Sequence, residues 1–169
     1  GYYALDVTNP LSPQLLWEFK HDNLGYTYGN PIITKRADGT WVVVFSSGYQ
    51  NVSPGDGNGH LFVVNANTRA YITDTPTYTE GTTAAGTAAS PSGLGKINSW
   101  VDSELVNTSR RFYGGDLKGN LWRFDIDNLV EPHGKALLLA ELRAPDGTTP
   151  QPITARPALA EVEYNGGSY

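Results

Sequence analysis

Three segments of this chain share one shape: Gly1-Tyr-Tyr-Ala-Leu-Asp-Val7, Gly59-His-Leu-Phe-Val-Val-Asn-Ala66 and Gly119-Asn-Leu-Trp-Arg-Phe-Asp-Ile126. Each runs from a glycine through large apolar residues to Asp or Asn, then to an aliphatic or small residue. Asp6, Asn65 and Asp125 are spaced 59 and 60 residues apart. A second feature recurs with them. Asn30-Pro31-Ile-Ile-Thr34 and Arg156-Pro157-Ala-Leu-Ala160 each open a strand on a proline, and Gly93-Leu-Gly-Lys-Ile-Asn-Ser-Trp100 lies about one period between them. A fixed internal period confines a chain to architectures that stack one supersecondary unit on the next.

Each period reads as four short strands. In the first full one they are Pro31–Arg36, Trp41–Ser46, His60–Asn65 and Ala70–Thr73. Asp38-Gly39 supplies the positive-φ residues of a tight hairpin between the first two. The next period gives Gly93–Trp100, Arg110–Asp116, Asn120–Ile126 and Ala136–Glu141. Pro157–Tyr164 starts a further period, with Asn165-Gly166-Gly167 as its turn, and Tyr2–Val7 and Gln14–Phe19 are the last two strands of an earlier one. Four strands every ~60 residues is the pattern of a β-propeller blade. A two-sheet sandwich is the alternative. The unbroken apolar run Trp41-Val-Val-Val-Phe45 favours blades, because an inner strand covered on both faces has no polar side. The expected fold is all-β, a partial β-propeller of quinoprotein-like four-stranded blades within one domain, 1–169. Two blades are full (30–73 and 93–141) and two are partial (2–19 and 156–169). Propellers have typically 4 to 8 blades, so this chain is not expected to close a ring alone, and its half-blades are expected to leave pairing edges. The buried set expected on the strands is Trp41, Val43, Phe45, Phe62, Val64, Trp122 and Phe124. The small, uncharged stretch Thr82–Ser92 reads as a mobile inter-blade loop.

Composition narrows the function. The 169 residues include no Cys and no Met, which excludes a disulfide framework, a thiolate metal site and a Cys nucleophile. Net charge is −5, which argues against nucleic acid or an anionic membrane as partner. No apolar run approaches the ~18 residues of a transmembrane helix. Charged residues make up only 17%, with 10 Tyr and 4 Trp, a balance that suits an extracytoplasmic β-rich protein. A chain that opens on a strand with no initiator Met has the look of a piece of something longer.

Candidate chemistry is sparse. His21, His60 and His133 form no HxxxH pair and read as exposed loop residues rather than metal ligands. No GxSxG elbow or P-loop is present. Gly55-Asp-Gly-Asn-Gly59 resembles a phosphate or calcium loop but lacks the Lys-Ser/Thr of the first and the closing Glu of the second, and a glycine-rich hairpin fits better. Asp125 and Asp127 share one face of a strand, as an acid/base pair would. Asp125 also occupies the repeated Asp6/Asn65 position, where a carboxylate accepting turn N–H groups is the better reading. The densest polar stretch is 101–111, where Asp102 and Glu104 stand at positions 1 and 3 of a short loop, as calcium loops begin, before Val106 and Arg110 break the pattern.

Tyr3-Ala-Leu-Asp-Val-Thr8, Leu16-Trp-Glu-Phe19, Val44-Phe-Ser-Ser-Gly-Tyr49, Tyr113-Gly-Gly-Asp-Leu-Lys-Gly-Asn-Leu-Trp-Arg-Phe-Asp125, Gln151-Pro-Ile-Thr154 and Arg156-Pro157 together resemble the C-terminal β-propeller of the PilY/PilC family. These are type IV pilus biogenesis factors and tip-associated adhesins. The resemblance implies a non-enzymatic module supporting pilus extension, twitching motility and surface attachment. It implies an extracytoplasmic place at the pilus tip, on the outer membrane surface or secreted. Its partners would be pilus-tip or minor pilin proteins and a host or abiotic surface. Family members carry calcium in an Asp-x-Asn/Asp-x-Asp-x-x-x-Asp loop that falls here on Asp102, Glu104, Val106 and Arg110. Two acidic positions match and two do not, so Asp102 and Glu104 are the only metal candidates, no cofactor is expected, and Arg110 is expected to pair with one of those acids in the ion's place. Two other readings compete: a fragment of a quinone-dependent dehydrogenase propeller, and a plain scaffold of a secreted complex.

Overall fold

A computed structural model describes residues 1–79, 83–101, 103–164 and 167–168. Every element in them is a strand. In chain order these are β1 (Tyr2–Asp6), β2 (Gln14–Phe19), β3 (Ile32–Lys35), β4 (Trp41–Ser46), β5 (His60–Asn65), β6 (Tyr71–Pro76), β7 (Tyr78–Thr79), β8 (Thr83–Ala84), β9 (Ile97–Ser99), β10 (Arg111–Gly115), β11 (Asn120–Asp125), β12 (Ala136–Glu141), β13 (Glu163–Tyr164) and β14 (Gly167–Ser168). Two four-stranded antiparallel meanders, β3-β4-β5-β6 and β9-β10-β11-β12, are the full blades, and β1-β2 is a half-blade. Each third-to-fourth strand pair carries one register break, at Ala4/Leu5, Val63/Val64 and Leu121/Trp122. A bulge there adds twist to the outer half of each blade.

The blades stack face to face, and side-chain alternation on β4 and β5 explains their unbroken apolar sequence. Val42, Val44, Leu61 and Val63 point one way, into a cluster with Leu94, Phe112, Trp122 and Phe124 of the second full blade. Val43, Phe45, Phe62 and Val64 point the other way, onto Trp17 with Tyr2 and Phe19 of the half-blade. There the Phe19 ring meets Phe45 and Phe62 edge-on, at 5.2 and 5.5 Å. Fully burying one such side chain is worth ~1.5–3 kcal/mol, so these two seams are the main cohesion of the molecule.

The repeated Asp/Asn position behaves alike in three blades. Asp6, Asn65 and Asp125 each accept, through Oδ1, the backbone N–H two residues on, from Thr8, Asn67 and Asp127. That bond shapes the turn from the third strand into the fourth. Gly119 turns the second blade's short hairpin at φ +79°, where a Cβ would sit 2.4 Å from the Leu142 carbonyl oxygen.

Four expectations need correction. Trp41 is 36% exposed, because it stands at the end of β4 beyond the neighbouring blade, with the Lys35 ammonium 4.9 Å over its ring. His60 is buried, since β5 is an internal strand. The expected strand Pro157–Tyr164 is regular only at β13. Proline lacks the N–H that a ladder needs, and residues 157–162 run irregularly; Asn165 and Gly166 of its turn lie outside the described residues. The stretch Thr82–Ser92, whose Thr82 also lies outside them, is pinned rather than free. β8 pairs with β7, Ala85 N–H donates to Thr77, and Ser92 N–H donates to Gly57.

Candidate functional site

The loop that carries the metal candidates joins β9 to β10. Asp102 lies outside the described residues. Glu104 sits in an exposed turn closed by Ser103, whose carbonyl accepts the Val106 and Asn107 N–H groups at 3.1 and 2.8 Å. Asn107 then takes a left-handed φ of 55° and turns its carbonyl onto the first blade, accepting Lys35 N–H at 2.9 Å and Thr34 Oγ1–H at 2.8 Å. Ser109 N–H donates back to the Lys35 carbonyl at 3.1 Å, so the loop pairs with the end of β3 as a short parallel bridge. The loop is a clasp between blades. Two carboxylates, Asp102 and Glu104, with an exposed Val106 and the cationic Arg110, are a poor donor set for calcium, which takes six to eight oxygens. Among the described residues Arg110 makes no ion pair, so the expected partnership with Glu104 is absent, and one with Asp102 falls outside them.

A second clasp ties the same two blades. Asp127 accepts Arg36 Nε–H and the Ala37 N–H, each at 3.0 Å, with its side chain only 3% exposed. Its neighbour Asp125 is turned the other way, accepting Val130 and Gly134 N–H groups as well as that of Asp127. The two carboxylates therefore hold separate structural posts and do not converge as an acid/base pair.

Among the described residues Asp116 is the most heavily used carboxylate. It is fully buried and accepts Lys118 N–H, Asn120 N–H, Asn120 Nδ2–H and the Trp122 indole N–H, all at 2.8–2.9 Å. This single side chain shapes the Leu117–Gly119 turn and orients Trp122 into the inter-blade core. Ser47 holds the matching place in the first full blade, where its Oγ accepts His60 N–H at 3.1 Å.

His60 is the polar centre that sequence inspection missed. Its Nδ1 lies 2.8 Å from Asp74 and its Nε2 3.2 Å from Asp56, and Tyr71 Oη donates to Asp74 at 2.7 Å. The bond from His60 holds the Asp74 carboxyl below its ordinary range, and burial with Asp74 alongside pushes the Tyr71 hydroxyl up to about 12. Asp56 belongs to the glycine-rich 55–59 loop, so this cluster anchors that loop to β6. Asn58 of the same loop accepts Thr77 Oγ1–H and Gly86 N–H. The loop thus works as a structural hairpin rather than an ion cradle. Its partners Asn23, Thr77, Gly86 and Ser92, 19 to 34 residues away, carry no local sequence signal.

The family model for the PilY1 beta-propeller domain matches residues 1–137. The chain belongs to the PilY1 β-propeller family. Type IV pilus biogenesis factor PilY1 of Pseudomonas aeruginosa is 33% identical over 129 residues, covering 75% of this chain and 10% of that protein. A PilY1 homolog of Xylella fastidiosa is 32% identical over 133 residues, covering 73% of this chain and 9% of that one. The crystal structure of the Pseudomonas aeruginosa PilY1 C-terminal domain superposes with a TM-score of 0.74 at 27% identity, over 96% of this chain and 35% of that domain. The chain therefore spans about a tenth of the length of the curated relatives it matches. The fold is that of part of a PilY1-type β-propeller.

Proposed function

We propose that this chain is a propeller section of a type IV pilus biogenesis factor, acting without catalysis as a rigid platform for other proteins. The observation that carries the reading is its membership of a family whose curated relatives are named as pilus biogenesis factors. The site geometry is consistent with it: buried carboxylates are committed to turns and clasps, and loops at the blade ends are presented on a stiff scaffold. In this reading the parent protein works outside the cytoplasm, at the pilus tip or cell surface. It engages minor pilin components and supports pilus extension, twitching motility and attachment to a host or abiotic surface. No helix among the described residues is long and apolar enough to cross a membrane.

The test is made in the parent protein. Asp116→Ala with Trp122→Ala should unfold the second full blade, and sheared surface fractions should then contain fewer pili, with reduced twitching and attachment. Normal piliation, twitching and attachment despite a demonstrably unfolded blade would overturn the proposal.

A further inference from the structure

Strand polarity gathers one set of loops at a single end of the blades. The chain enters β3 and β9 there, and the turns after β4 and β10 lie beside those entries. Gly48 bridges Leu94, and Gly95 N–H donates to the Gly115 carbonyl. The segment ending at Pro157 joins the same face, since Ile153 N–H donates to the Asp116 backbone carbonyl and Asn98 Nδ2–H donates to the Pro157 carbonyl. Three equivalent positions therefore open successive blades: Asn30, Lys96 and Arg156. Lys96 directly precedes β9, Asn30 stands two residues before β3, and Arg156 precedes Pro157 at the corresponding sequence position.

Two cavities share this face, of about 270 and 400 Å³, and Lys96 lines both. The floor of the first is backbone, at Gly29, Gly48 and Gly95, flanked by Tyr28 and Tyr49, whose rings lie 6.3 Å apart. The second is lined by both cations, Lys96 and Arg156, with Asn30. Arg156 is held in place by donating to Asn98 Oδ1. No carboxylate lines either cavity among the described residues, although the chain as a whole is acidic.

The geometry points to a docking groove for an extended acidic peptide segment of a partner protein. Gly48 and Gly95 pack so closely against the Tyr26 carbonyl and the Tyr49 hydroxyl that a Cβ would clash, which keeps this floor rigid. The tyrosines offer rigid apolar flanks with little side-chain entropy to lose. The two cations supply the charge complement that fixes partner and register. A neutral carbohydrate fits less well, because it would leave the Lys96 and Arg156 charges without a complement. The groove is argued from this chain's own loops and does not depend on the pilus reading.

The test is fluorescence anisotropy on the 169-residue chain with a fluorescein-labelled peptide of alternating Glu and Tyr. Its Gln/Tyr counterpart and an oligogalacturonate serve as competitors. Binding is expected for the Glu peptide, weakening with added salt. Lys96→Glu and Arg156→Glu should each weaken it by at least about tenfold, ~1.4 kcal/mol. Both positions are exposed, so their melting temperatures should match the parent chain. No binding up to ~1 mM, equal binding of the Gln peptide, stronger competition by the oligogalacturonate, or undiminished binding by both folded variants would each overturn the proposal.

Discussion

Asp116 concentrates the residue-scale logic of the molecule. It is a buried carboxylate with four N–H donors and no cation, so its charge is balanced by hydrogen bonds aimed at it. Removing it strands the Trp122 indole and the Asn120 N–H groups in the interior, and each orphaned donor costs roughly 1–3 kcal/mol. Asp116→Ala is therefore expected to lose about 3 kcal/mol or more in urea unfolding; a loss below about 1 kcal/mol would contradict the role given to it. The 103–110 loop invites a second residue-scale prediction. A calcium site with a Kd near ~10 μM, in ~1 mM calcium, would add about 2.7 kcal/mol, which is roughly 5–11 °C in melting temperature for a chain of this size. With Val106 and Arg110 in the ligand positions, chelator is expected to leave the melting temperature unchanged within about 2 °C. A fall of the larger size, abolished by Asp102→Asn with Glu104→Gln, would place the ion there after all. At this scale the sequence was informative where a position repeats. Asp125 could be assigned to a turn because Asp6 and Asn65 share its place. His60 could not be assigned, since its burial depends on β5 being internal and its partner Asp74 lies on the outer strand, diagonally opposite and 14 residues on.

At the scale of elements, period-2 alternation decides which face each residue serves. The middles of β4 and β5, Val42–Phe45 and Leu61–Val64, are unbroken apolar runs because each of their faces meets a different blade. That much was legible, and Trp41–Ser46, His60–Asn65 and Ala136–Glu141 were delimited correctly from hydrophobic runs and flanking turn residues. What a linear run does not reveal is how far the neighbouring blade extends along the strand. Trp41 falls beyond that limit and Phe62 within it. Phe62→Ala should accordingly destabilise by about 3–5 kcal/mol. Trp41→Ala, at a site 36% exposed, should cost clearly less, about 1–2 kcal/mol including the Lys35 cation–π contact that it removes. Equal losses in calorimetry or denaturant unfolding would mean that the alternation has been assigned to the wrong faces. Outer strands were harder to place. Ala70–Thr73 was expected where β6 runs Tyr71–Pro76, because an outer strand with one covered face and a bulge has little apolar periodicity to mark its ends.

At the scale of the whole molecule, the blades are joined by two apolar seams and by polar clasps that cross between sheets: Arg36 with Asp127, and the β3 end with residues 107–109. The seams supply cohesion without fixing position. The clasps set which residue of one blade faces which residue of the next. A propeller section requires that register, and a two-sheet sandwich built from the same strands has no reason to reproduce it. The loop-end groove follows from the same arrangement, since only stacked blades bring Tyr28, Lys96 and Arg156 onto one face. The chain contains no cysteine, so one engineered disulfide can be read without background. Lys35 and Thr108 are bridge partners across the two blades. Neighbouring strands lie about 4.7–4.9 Å apart, within the ~4.4–6.8 Å that a disulfide accepts between Cα atoms. Under mild oxidation, a chain carrying Lys35→Cys and Thr108→Cys should cross-link internally, nearly to completion, and unfold at higher denaturant. A folded double variant that stays reduced, or that links only between molecules, would contradict the stacking of consecutive blades.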